Sequence, residues 1–205
     1  MKNVILTALG AITLLITGIA APASASTIFT LNQDGCSGTC GSAPYGTVSL
    51  DQTSSNTVTV TLALASGERF AGTGAGQALE FNIQDAAPMF SNITSGFSIG
   101  PAPATASAFG SFLQSVTCTD CQGGKSSNPV GPLTFTVTSA SGIQVDDFVA
   151  NSDGYFFASD IVGANGKTGN VGAEGGVSAT PEPASLALLG LGVSGVAVFR
   201  KRVRK

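Results

Sequence analysis

The stretch Thr57-Val58-Thr59-Val60-Thr61-Leu62-Ala63-Leu64 alternates polar and apolar residues. A period of two puts Val58, Val60, Leu62 and Leu64 on one face of an extended chain and the three threonines on the other. Leu133-Thr134-Phe135-Thr136-Val137-Thr138 repeats the pattern. Working outward, further strands are expected at residues 27–31, 47–50, 79–83, 109–116, 144–149 and 155–161. Turn-forming clusters separate many of them: Ser66-Gly67, Gly123-Gly124, Ser141-Gly142 and Ser152-Asp153-Gly154. Short strands joined by Gly-rich turns predict an all-β domain, an antiparallel β-sandwich or a barrel-like variant of it. No part of residues 26–179 shows a sustained helical period. Pro101-Ala102-Pro103 makes 101–108 a loop or an edge segment. Residues 163–179 are Gly-rich and nearly without large apolar side chains, and read as a flexible spacer.

Charge is scarce and unevenly placed. Only 10% of the 205 residues are charged, against about 25% in an ordinary globular chain. There is no His and no Trp. Imidazole metal ligands, His bases and His-containing triads are therefore excluded. Between positions 26 and 180 stand three cations, Arg69, Lys125 and Lys167, against eleven acids, a formal charge of −8. A nucleic-acid footprint would be basic, so no nucleic-acid partner is expected. Five of the nine cations crowd into the last six residues.

Both ends read as targeting segments. Met1-Lys2-Asn3 precedes a largely apolar run to Ala21, and Ala23-Ser24-Ala25 supplies small residues where a signal peptidase cuts. Residues 1–25 are thus expected to be a secretory signal peptide, leaving Ser26 as the mature N-terminus. Residues 26–179 form the exported domain, long enough to bury a sizeable core. Residues 180–205 begin with Thr180-Pro181-Glu182-Pro183, continue through an apolar segment at 184–199, and close with Arg200, Lys201, Arg202, Val203, Arg204 and Lys205. The apolar segment is just short of the ~17–25 residues that span a bilayer, and flanking cations can snorkel to extend it. A transmembrane helix is expected there, with the basic end cytoplasmic by the positive-inside rule.

This three-part tail resembles the PEP-CTERM sorting signal of Gram-negative bacteria: Pro181, Glu182 and Pro183 as the motif, then the apolar helix, then the basic tail. The resemblance covers about 25 residues and says nothing directly about the exported domain. It implies an exosortase-like membrane enzyme as partner, with processing near the motif. The chain would pass through the inner membrane to the cell surface or an extracellular polysaccharide matrix. A plain C-terminal anchor would explain the helix and cations but not Pro-Glu-Pro.

The four cysteines fall into two close pairs, Cys36/Cys40 and Cys118/Cys121. Export into an oxidising compartment favours disulfides, and local pairing suits the turn-like sequences around each pair. A cross-link between the two segments stays open. Cys118-Thr119-Asp120-Cys121 also matches a redox C-x-x-C, but without the βαβ context of that motif. The 77 residues between Cys40 and Cys118 far exceed the ~15–20 of common zinc modules.

Asn151, Asp153 and Asp160 are weak calcium candidates. Asn151-Ser152-Asp153-Gly154 fits the inner part of an EF-hand loop, but Val149 falls where the first acid belongs and Asp160 replaces the final Glu. Asp153-Gly154 is also an ordinary turn signal. Carboxylate pairs suited to glycoside hydrolysis exist in any domain with this many acids. No cofactor and no catalytic residue is assigned. The threonine rows 57/59/61 and 134/136/138 suit the solvent face of two strands, and also a hydroxyl array that hydrogen-bonds a glycan or ordered water. The expected function is that of a non-enzymatic exported structural protein. A polysaccharide- or calcium-binding module is the main alternative, and a secreted carboxylate-dependent hydrolase the remote one.

Overall fold

The computed structural model describes residues 26–84 and 87–179. In chain order the strands are β1 (Ser26–Leu31), β2 (Gln33–Asp34), β3 (Gly46–Ser54), β4 (Thr57–Leu64), β5 (Arg69–Phe70) and β6 (Leu79–Ile83). Next come β7 (Met89–Ser91), β8 (Phe97–Ile99), β9 (Ala104–Ala106), β10 (Gly110–Phe112), β11 (Gln114–Cys118) and β12 (Leu133–Thr138). A 3-10 turn at Val145–Asp147 leads into β13 (Phe148–Val149), β14 (Phe157–Val162), β15 (Thr168–Ala173) and β16 (Gly176–Ala179).

The strands make two antiparallel sheets. The first runs β16-β1-β3-β4-β12-β7. The second runs β2-β15-β14-β6-β11-β8, with β13 added on β6 and β5 on β14. In the first sheet β4 and β12, the two alternating stretches, lie side by side: Leu62 faces Leu133, Val60 faces Phe135 and Val58 faces Val137. These six side chains are fully buried. They meet Leu79, Phe81, Phe157, Ile161 and Val171 from the second sheet in one core. Phe81 stacks on Phe135 across the gap at 5.6 Å, and Phe29 meets Phe157 edge-on at 4.8 Å. Burying such a ring stabilises the fold by about 1.5–3 kcal/mol. The architecture is the antiparallel sandwich that the alternation implies.

A third, smaller layer lies outside the second sheet. The β9–β10 hairpin folds over it, and Ala106, Phe109, Phe112 and Ala158 form a separate apolar cluster with Tyr155 against them. The expected strand at 109–116 is divided for this reason. Its first part pairs with β9 and its second part joins the sheet, with the exposed Leu113 between them. Residues 101–108 do contain an edge strand, β9.

The spacer reading of residues 163–179 is corrected. β15 is an interior strand paired with β14 and β2, and β16 is the edge strand beside β1. Val171 and Ala173 are fully buried. Small residues are needed here because neighbours come close. A side chain on Gly172 would sit 2.8 Å from the Phe109 ring, so the glycine marks close approach rather than slack chain. The 144–149 strand is likewise shortened to the two residues of β13, preceded by the 3-10 turn.

Candidate functional site

Two surfaces concentrate polar groups, one on the outer side of each sheet. On the first sheet the register sets Thr57 against Thr138, Thr59 against Thr136 and Thr61 against Thr134. β3 extends the rows with Ser49 beside Thr61 and Asp51 beside Thr59, and β7 adds Ser91 beside Thr136. One row thus crosses five strands: Ser26, Asp51, Thr59, Thr136 and Ser91. Neighbours in a row are ~4.8 Å apart, and rows repeat every ~6.8 Å along the strands. The three threonines of β4 and the three of β12 are partly exposed. Thr61 and Thr134 share a hydrogen bond between their hydroxyls at 3.3 Å. Thr57 Oγ1 donates to Asn56 Oδ1 at 3.2 Å and Thr136 Oγ1 accepts from Asn92 Nδ2 at 3.4 Å. The remaining donors and acceptors of the rows are left for solvent or a ligand.

On the second sheet alternation turns Glu80, Asn82, Ser115, Asp160 and Asn170 away from the sandwich core. Here that side is covered by the hairpin and the chain leading into it. All five are at most 7% exposed. Ser115 donates its hydroxyl to the Pro101 carbonyl at 2.6 Å, and Asn82 Oδ1 accepts the Leu113 N–H at 2.7 Å. Asp160 accepts the Thr73 N–H at 2.7 Å and the Thr73 hydroxyl at 2.7–2.8 Å. Glu80 accepts the Gln77 N–H at 3.0 Å through Oε1. Burial raises the Glu80 pKa to about 7; the Gln77 hydrogen bond opposes this and the Asp160 charge adds to it. Burial also raises the Asp160 pKa, against the pull of its Thr73 hydrogen bonds.

Beside the hairpin a cleft of about 430 Å³ opens to solvent. Asp160 and Asn170 line it together with Thr73, Gly76, Thr105 and Ser107. Thr73 and Gly76 come from a Gly-rich turn, Asp160 from β14, and Asn170 from the strand read from sequence as spacer. Sequence reasoning therefore missed Asn170 and Thr73. The signal that could have found Asn170 was the Asn-Val-Gly-Ala run, whose small residues suit a tightly packed interior strand.

The other sequence-predicted residues fall as follows. Cys36 is bonded to Cys40 and Cys118 to Cys121, each in a local loop, with no free cysteine among the described residues. The first loop is organised by Asp34, whose carboxylate accepts the Cys36 and Cys40 N–H groups and the Tyr45 hydroxyl. Burial alone would raise the Asp34 pKa, and these hydrogen bonds, with one from Thr39, bring it below the ordinary value. Asp34, Cys36 and Cys40 stand close together, but both sulfurs are committed to the disulfide. Asn151 and Asp153 share one turn, in which Asn151 Oδ1 caps the Asp153 and Tyr155 N–H groups and its Nδ2 donates to the Phe109 carbonyl. Asp160 stands apart from them, with Thr73. Pro181, Glu182 and Pro183, the 184–199 segment and the basic residues Arg200, Lys201, Arg202, Arg204 and Lys205 lie outside the described residues, as does the expected signal peptide.

A family model for the PEP-CTERM protein-sorting motif matches residues 179–202. No curated protein and no solved structure matches the chain. The chain carries a PEP-CTERM sorting signal. The motif implies an exosortase-type membrane enzyme as the partner that recognises it, and a membrane-anchored precursor processed for export to the cell surface.

Proposed function

We propose that the chain is a non-enzymatic structural protein of the cell surface or extracellular polysaccharide matrix, delivered in three steps. The signal peptide exports it. The 184–199 segment and the basic tail hold the precursor in the inner membrane, and the enzyme processes it near Pro181-Glu182-Pro183. The observation that carries this reading is the pairing of the two domain ends. In the β1–β16 register Ser26 lies opposite Ala179. The strands are antiparallel, so Ser26 and Ala179, the first and last described residues, lie side by side at one corner of the first sheet. A signal peptide before Ser26 and an anchor after Ala179 would both start from that corner, which suits a domain held on one side of a membrane. A second consequence is that the motif follows the edge strand with one residue between Ala179 and Pro181.

Mass spectrometry of the mature protein's two ends tests this reading. The expected product starts at Ser26 and lacks the residues after the motif. Replacing Pro181, Glu182 and Pro183 together by Ala should leave full-length precursor in the membrane fraction. Secreted protein that uniformly keeps its tail through Lys205 would sink the proposal.

A second reading rests on the hydroxyl rows. They fit a neutral polysaccharide, because Asp51 supplies the only charged side chain in the rows described. Hydroxyl-to-hydroxyl hydrogen bonds at a regular spacing would retain the exported domain on matrix glycan once the enzyme has released it.

A further inference from the structure

We propose that the cleft between β15, the 73–76 turn and the β9–β10 hairpin binds a divalent cation of the calcium type, with the Asp160 carboxylate, Asn170 Oδ1 and the Thr73 hydroxyl as its protein ligands. The calcium candidates of the 151–153 turn play no part in it. The inference rests on the second sheet's outer layer and not on the sorting signal.

The first argument is an imbalance of hydrogen-bonding groups. Four buried side-chain oxygens among the described residues lack a partner: Asn170 Oδ1, Glu80 Oε2, Gln77 Oε1 and Glu68 Oε2. The first three belong to residues of this layer or the turn feeding it. Of these residues, Asn170 lines the cleft. A buried acceptor without a donor costs about 1–3 kcal/mol, and a cation in the cleft satisfies Asn170 Oδ1.

Convergence is the second argument. Asn170 is 4% exposed and Asp160 1%. A Cβ built on Gly76 would stand 2.8 Å from Asn170 Oδ1 and 2.9 Å from the Asp160 carboxyl carbon. Asn170 Oδ1 and Asp160 therefore pack against the same bare glycine, close enough to share an ion in the adjoining cleft that both line. Asn170 Nδ2 reaches only the Ser107 carbonyl, at 3.5 Å, which leaves Oδ1 as the group turned to that glycine. The Thr73 hydroxyl spends its proton on Asp160 and keeps its lone pairs for a metal.

The third argument is charge. No Lys or Arg lines the cleft, and Glu80 stands across the strand pair from Ala158. Its Cβ is ~7–8 Å diagonally from that of Asp160. Asp160, buried and near a second acid, has no Lys or Arg in the cleft to balance it, and a divalent ion supplies that charge. Calcium suits the place best. It takes 6–8 oxygens in irregular geometry and accepts waters, which the open mouth of the cleft admits, whereas magnesium demands a near-ideal octahedron. Zinc would want sulfur or imidazole.

Calorimetric titration of the calcium-depleted full chain in detergent with CaCl₂ tests the site. We expect one ion to bind with a Kd of about 10⁻⁴–10⁻³ M, the range of extracellular modules, and more tightly than magnesium. Asn170→Ala, which leaves the Thr73–Asp160 contacts in place, should weaken binding about tenfold or more, equivalent to at least ~1.4 kcal/mol. Gly76→Ala, which sets a methyl against Asn170 Oδ1 and Asp160 while keeping all three ligand residues, should do the same. Asp153→Asn should bind as the unaltered chain does. Absence of binding up to ~10 mM CaCl₂ overturns the proposal. So does unaltered binding in Asn170→Ala, or a loss in Asp153→Asn.

Discussion

The outer faces of the two sheets start from the same sequence pattern and end differently. Thr57 to Leu64 and Leu79 to Ile83 both alternate, and in both the large apolar residues enter the sandwich. The off-core residues of the first stretch, Thr57, Thr59 and Thr61, stay partly exposed, whereas Glu80 and Asn82 of the second are buried beneath the hairpin and its approach. Alternation therefore specifies that a strand has two faces. What covers the second face decides whether a polar residue there is solvated or must find partners. On the open side, hydroxyls cost nothing to keep. On the covered side, burial has driven Glu80 toward neutrality and left oxygens unpaired.

The shared core sets the scale for breaking this comparison. Phe81 touches Phe90, Phe135, Phe148 and Phe157. Phe81→Ala should destabilise the domain by about 3–5 kcal/mol in urea unfolding. A loss below ~1 kcal/mol would mean that the two sheets do not share one core.

The covered face predicts a pH dependence. Glu80 keeps its proton in the folded protein up to about pH 7 but releases it near 4.5 when unfolded. Its contribution to stability is therefore complete below about pH 4.5 and is lost as the pH rises through 7. In chelator, the unfolding free energy should fall by about 2 kcal/mol between pH 5 and pH 8. Glu80→Gln, which cannot ionise, should remove most of that slope. Asp160 and Glu68 are shifted in the same direction, so a residual slope remains in the variant. A profile equally steep in both proteins would show that the layer over Glu80 is wet.

The open face predicts the smallest change in stability. Thr59→Ala combined with Thr136→Ala should alter unfolding by no more than about 0.5 kcal/mol per site. Retention on purified neutral polysaccharide should nevertheless fall in a sedimentation assay. Undiminished retention would leave the hydroxyl rows as a solvated surface only.

Particular residues show how far the sequence could be read. β4, β6 and β12 are found where the sequence placed them, because each carries large apolar residues every second position. The strand at β15 was invisible for the opposite reason. Its core-facing positions are Val171 and Ala173, and Gly172, buried on the other face, lies under the Phe109 ring. Close packing there demands small side chains, and small side chains carry little periodic signal. The candidate cation site was hidden further still. Asp160 was noticed, but among the wrong neighbours, because sequence proximity grouped it with Asn151 and Asp153.

The sequence by itself determined the sorting signal, the all-β class, and the candidate pairing of cysteines only three and four residues apart. Each depends on residues close along the chain. Tertiary structure alone decided that Thr59 and Thr136 stand in one row, that the domain's ends share a corner, and that Thr73, Asp160 and Asn170 line one cleft. Those juxtapositions depend on strand order and on what the β9–β10 hairpin covers. A period of two records which residues share a face, and carries no information about what lies opposite that face.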